Sequence, residues 1–181
     1  YSAELQQIYH TEHHSIIVGT RFQSGDVQTD SRLTRFPGSF TSLQQADDSL
    51  RRANGYGYYQ WHPVEPLRLN AGLSYDWVEF PASLDLPPLN ASPLQRSRWS
   101  PKLGFSYDAW KGGSWKGAWT RSLGGVYFDN SIRLEPTQFS GFNQAYRSLI
   151  PESAGGLLSG ADFDTWDLRF DQTFSRGLYA G

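Results

Sequence analysis

Four residues near the amino terminus have the types that chemistry uses. His10, Glu12, His13 and His14 fall within the five-residue tract HTEHH. Imidazole and carboxylate are good ligands for transition metals, and a His beside an acid is one half of a general-base pair. His62, next to Pro63, is the other imidazole position in the chain. A hydrolase would need a nucleophile in reach of such a base. No Gly-x-Ser-x-Gly elbow and no phosphate-cradling glycine loop occurs. The HTEHH tract reads more simply as a solvated polar turn, and His62 as a residue at the rim of an element. No catalytic residue, metal site or cofactor is therefore expected.

Composition narrows the classes further. The 181 residues carry 16 Lys and Arg against 18 Asp and Glu, a formal net charge of −2, which leaves no basic footprint for nucleic acid. Cysteine is absent, so neither a disulfide framework nor a thiolate metal site can form. Aromatic residues make up 15% while the hydrophobic fraction is only 38%. No apolar run approaches the ~18 residues of a membrane-crossing helix. A membrane β-barrel needs none, because only alternate residues of each strand face lipid.

The elements that would position these residues are strands. Period-two alternation recurs along the chain. In 67–76, Leu67, Leu69, Ala71, Leu73 and Tyr75 alternate with Arg68, Asn70, Gly72, Ser74 and Asp76. Segments 101–109, 16–23 and 165–172 behave alike. Weaker strands are expected at 4–10, at 53–61 with Ala53, Gly55, Gly57, Tyr59 and Trp61 facing outward, and at 115–122, with an eighth beginning at Leu178. Between them, short turns at 11–14, 62–66, 111–114 and 175–177 alternate with long loops at 24–52, 78–98 and 123–164. In the turn at 111–114, Gly112 and Gly113 are expected to supply positive φ.

Alternation of short and long connections is the sidedness of an outer-membrane barrel. Six of the seven tryptophans, Trp61, Trp77, Trp99, Trp110, Trp115 and Trp166, sit where these strands end, as two interfacial girdles would require. The expected fold is all-β, an antiparallel up-and-down transmembrane β-barrel with about eight strands in view. The eighth strand is too short to complete a wall, so residues 1–181 are expected to be a segment of a larger barrel, incomplete at both ends.

The polar face collects charges of both signs: Arg21, Arg68, Asp76, Lys102, Asp108, Lys116, Asp167, Arg169 and Asp171. Such groups are costly in lipid and costly in a dry core unless paired, so all nine are expected to face a wet lumen. The loop 123–164 mixes flat aromatics with hydrogen-bonding groups. Tyr127, Phe128, Phe139, Phe142, Asn143, Tyr146 and Arg147 are the candidates for ligand contact. The alternative for the same residues is a loop packed on itself or folded into the lumen as a constriction.

The stretch 99–125, WSPKLGFSYDAWKGGSWKGAWTRSLGG, resembles barrel strands of TonB-dependent outer-membrane receptors. The stretch 126–153, VYFDNSIRLEPTQFSGFNQAYRSLIPES, is similar to porin-like barrels attached to tetratricopeptide-repeat outer-membrane proteins. The resemblance implies a bacterial outer-membrane location and passage of a small solute. It also implies contact with membrane lipid and with an energising periplasmic partner. Neither a plug domain nor tetratricopeptide helices are read in 1–181. A second reading is therefore a structural or partner-bound barrel, associated with other subunits of an export or surface complex. A third is a soluble β-sandwich that binds carbohydrate, which requires apolar side chains facing each other between two sheets.

Overall fold

The computed structural model of the chain describes residues 1–34, 41–83, 90–124, 133–144, 161–175 and 178–181. The alternating segments become strands β1 (Ser2–His10), β2 (His14–Thr34), β3 (Thr41–Val64), β4 (Leu67–Ser83), β5 (Asn90–Trp110) and β6 (Gly113–Leu123). A two-residue pair, β7 (Gln138–Phe139) and β8 (Phe142–Asn143), precedes β9 (Asp162–Ser175) and β10 (Leu178–Ala180). Eight strands form one sheet in the order β1-β2-β3-β4-β5-β6-β9-β10, every neighbouring pair antiparallel. This is the up-and-down order of a barrel wall. Among the described residues the wall is open, with β1 and β10 each paired on one side.

Register sorts the side chains into two faces. Tyr9, Ile16, Tyr59, Ala71, Leu103, Trp119 and Trp166 are successive Cα partners across seven strands. One residue along, Ile8, Ile17, Tyr58, Gly72, Lys102, Thr120 and Thr165 form the next row, on the opposite face. Leu103 is 57% exposed and Trp166 79%, whereas Lys102 is 1% exposed. In water this arrangement would be inside out: the solvent would meet leucine and tryptophan while a lysine was buried. In a bilayer it is the favourable one. The apolar residues do not face a second sheet, so the condition for a soluble sandwich is not met among the described residues. Ala53, Gly55, Gly57, Tyr59 and Trp61 share the face of Phe22, Thr20, Val18, Ile16 and His14, as their alternation suggested.

Two of the expected long loops are corrected. Strands β2 and β3 stay paired from His14↔Trp61 to Thr34↔Thr41, so most of 24–52 is ladder. Strands β4 and β5 likewise pair out to Ser83↔Asn90. A strand of 21 residues such as β2 runs to roughly 70 Å at ~3.3 Å per residue, far beyond the ~9–11 residues a bilayer needs. Past the membrane the outer face meets water as well, so the apolar-out alternation stops while the hydrogen-bonded ladder continues, and Leu50, Val78, Phe80 and Leu123 form a buried cluster there. Trp77 and Trp99 accordingly stand inside long strands, not at their ends. The girdle spacing survives this correction. Trp99 and Trp110 lie eleven residues apart on β5, about 36 Å along the strand and about 28 Å along the barrel axis at a tilt of ~40°, close to the ~25 Å apolar band of such proteins.

The turns at the other end are short. Residues 11–13, 65–66 and 111–112 connect the strands there. Gly112 alone supplies positive φ in the last of these (82°). Gly113, expected to share that role, is instead the first residue of β6.

Candidate functional site

The polar face carries an added layer, residues 133–144. Within it, Ser140 (φ 51°) and Gly141 (φ 88°) both adopt left-handed backbone, the requirement of a two-residue type I′ hairpin. That turn pairs Phe139 with Phe142 and Gln138 with Asn143. Phe139 is buried against Tyr58, ring centroids 6.0 Å apart, in an apolar cluster with Tyr56 and Ala118 that Ile17 and Phe142 flank.

Three polar anchors hold this layer to the wall. At its start, the Glu4 carboxylate of β1 accepts hydrogen bonds from the backbone N–H of Leu134 (2.9 Å) and Glu135 (3.1 Å), and Gln6 Nε2 donates to the Leu134 carbonyl (2.8 Å). Tyr56 OH donates to Glu4 as well (3.0 Å). In the middle, Tyr58 OH donates to Glu135 Oε1 (2.5 Å) and accepts from Lys102 Nζ (2.8 Å). Lys102 also donates to Gln144 Oε1 and lies 3.9 Å from Glu135. Gln144 Nε2 reaches back to the Pro136 carbonyl (2.7 Å). Burial pushes the Glu135 carboxyl up from the ordinary carboxylate range, opposed by the attraction of Lys102 and the Tyr58 hydroxyl. At the tip, Asn70 Nδ2 donates to Ser140 Oγ (2.9 Å).

The tip fits because β5 has a glycine beneath it. A Cβ on Gly104 would collide with Ser140 and with the Gly117 carbonyl oxygen. Gly104→Ala is therefore expected to lift the hairpin at a cost of about 1–3 kcal/mol. Hydrogen exchange of the amides in 133–144 would then speed up by about ten- to a hundredfold, with the rest of β5 and β6 unchanged. Unaltered protection of 133–144 would show that the tip does not depend on this approach.

The nine charged residues read from the sequence take the following places. Cross-strand register sets them all on the polar face. Arg21 lies 3.9 Å from Glu4. Asp76 is buried and accepts from Arg52 (2.8 Å) and Asn54 (3.0 Å). Lys102 joins the docked layer. Toward the short turns, Arg68 meets Asp108 at 3.5 Å, and Asp171 is shared by Lys116 (3.2 Å) and Arg169 (2.6 Å). Asp167 stands opposite Ala118.

Of the seven loop residues expected to contact ligand, Tyr127, Phe128, Tyr146 and Arg147 lie outside the described residues. Phe139 is buried in the hairpin, Phe142 half-buried, and Asn143 exposed with Gln138 Nε2 donating to its Oδ1 (3.3 Å). The anchors Glu4, Gln6, Tyr58, Glu135 and Gln144 were not singled out from sequence. Only the Ser140–Gly141 pair between two phenylalanines could have marked the hairpin. In the HTEHH tract, His14 Nδ1 is 2.7 Å from Tyr59 OH with the rings stacked, and the His62 backbone N–H donates to the His13 carbonyl. Among the described residues no three His, Asp or Glu are placed to share an ion.

Comparison with known proteins adds one match. A family model described as TonB dependent receptor-like, beta-barrel matches residues 1–154. That span includes both stretches whose resemblance was noted above. No curated protein and no solved structure matches the chain.

Proposed function

The chain belongs to the TonB dependent receptor-like β-barrel family, and from that premise we propose that it is wall of a bacterial outer-membrane barrel through which a small solute passes. The observation that carries this reading is the inversion of the sheet, with Lys102 buried on one face and its neighbour Leu103 exposed on the other. The polar face is then the lumen, and the nine charges together with Arg52 and Glu4 line it. Residues 133–144 narrow that lumen. The family implies a periplasmic TonB partner that energises uptake.

We also take the wall to continue beyond both edges. An unpaired strand edge leaves N–H and C=O groups in hydrocarbon, each at a cost of several kcal/mol. Further strands beside β1 and β10 remove that cost. Catalysis forms no part of the proposal.

The full-length protein tests the reading. It is expected to need detergent for dispersion, to shift on gels after heating, and to let a small sugar or amino acid enter vesicles that otherwise exclude it. A protein that stays dispersed without detergent and shows no heat shift would end the proposal.

A further inference from the structure

We infer that the cleft between the docked hairpin and the wall is a binding site for a small anion on a hydroxyl-bearing body, of the sugar phosphate or sugar acid class. The inference rests on reading the polar face as the lumen. Because the tip is held by Asn70 and settles over Gly104, space is left on its short-turn side. The cavity there measures about 410 Å³, within the range of roughly 300–1,000 Å³ typical of small-molecule sites.

Its charge is one-sided. Arg68 and Lys116 line it, and among the described residues no carboxylate does. Register explains why this matters. Arg68, Ser106, Lys116 and Arg169 are successive Cα partners on β4, β5, β6 and β9, which places three cations in one row. Like charges side by side on a sheet repel. The next row toward the turns, Asp108, Ser114 and Asp171, answers with two acids. Asp171 is divided between Lys116 and Arg169, and among the described residues Arg68 has only a long contact with Asp108 while remaining half-exposed. Asp167, two residues from Arg169 on β9, does not line the cavity. The row therefore keeps unspent donor capacity, and an anion entering the cleft meets guanidinium and ammonium groups together.

The rest of the lining suits a polyol. Gln60, Asn70, Ser106 and Gln138 present amide and hydroxyl groups, and Tyr58 and Phe139 offer ring surface to C–H groups. Lining groups come from β2, β3, β4, β5 and β6 as well as from the hairpin, so the site exists only when residues 133–144 are docked.

Calorimetric titration of the full-length protein in detergent with glucose 6-phosphate, gluconate and glucose tests this. At least one anion is expected to bind about tenfold or more tightly than glucose, and to weaken with added salt. The preferred anion tells phosphate from carboxylate as the group recognised. Arg68→Gln and Lys116→Gln are each expected to lower anion affinity about tenfold while the heat shift on gels is retained. Arg121→Gln, on the apolar face, is expected to change nothing. Equal binding of glucose, no binding of either anion, or wild-type affinity in both lumenal variants would overturn the site. Failure of solute entry into vesicles with charge-dependent binding intact would remove the transport reading alone.

Discussion

Arginine in place of Leu103 is expected to destabilise the folded protein by about 2–4 kcal/mol, while arginine in place of Gln60 costs no more than about 1 kcal/mol. The two positions occupy adjacent rows of the sheet. Leu103 aligns with Ala71 and Tyr59, and Gln60 aligns with Asn70 and Gly104. They sit at nearly the same depth, so only the face differs. Leu103 lies four residues inside Trp99 along β5, about 10 Å into the apolar band after allowing for strand tilt. A guanidinium there must displace lipid, whereas one at Gln60 enters a wall already lined with charges. On a water-soluble sheet the order would not hold, because an exposed Leu→Arg change falls within about 0.5 kcal/mol of neutral. Denaturant unfolding of the two variants in lipid vesicles measures the difference. Equal costs at the two positions would mean that the exposed apolar face does not meet lipid.

What the sequence showed, and what it hid, divides along the same physical line. Between the girdles one face must be apolar and the other wet, so 67–76 and 101–109 could be read as strands with their faces assigned. Outside the girdles that constraint lapses. The pairs Gln28↔Asp47 and Asp30↔Gln45 are as regularly registered as any in β2 and β3, yet no residue in them reports it. They therefore read as loop. Tyr56 and Tyr58 fall in a tract of glycines and tyrosines with similar residues on both faces, and only pairing with Gly19 and Ile17 of β2 separates them. Lys102 was legible as a polar-face residue. Its partners were not, because Glu135 and Gln144 come from a segment with no period. The Glu4 contact with the Leu134 amide spans 130 residues, so no local pattern encodes that docking.

The second large effect is expected at this docking. Glu135→Ala removes a carboxylate 3.9 Å from Lys102, and it removes an acceptor of the Tyr58 hydroxyl. Breaking a buried ion pair by removing one member typically costs about 3–5 kcal/mol. Water from the lumen relieves part of that cost only if the segment lifts away. Residues 133–144 are thus expected to undock, with amide exchange there faster by about a hundredfold or more and solute entry into vesicles increased. Glu4→Ala acts from the other end by leaving the Leu134 and Glu135 amides without their shared acceptor, and is expected to loosen the same segment by about 1–3 kcal/mol. The pair Lys102→Met with Glu135→Gln decides what the charges do. Replacing both members of a buried ion pair by neutral groups of similar size is often close to neutral, so the double variant should redock most of the segment while either single change releases it. If the double variant is as loose as Glu135→Ala, the Phe139 and Phe142 packing together with the Glu4 bonds must set the docking energy, and Lys102 is merely tolerated beneath the hairpin. If the double variant redocks, the charged pair is a latch: it adds little to the closed state when intact, but breaking either half opens the lumen.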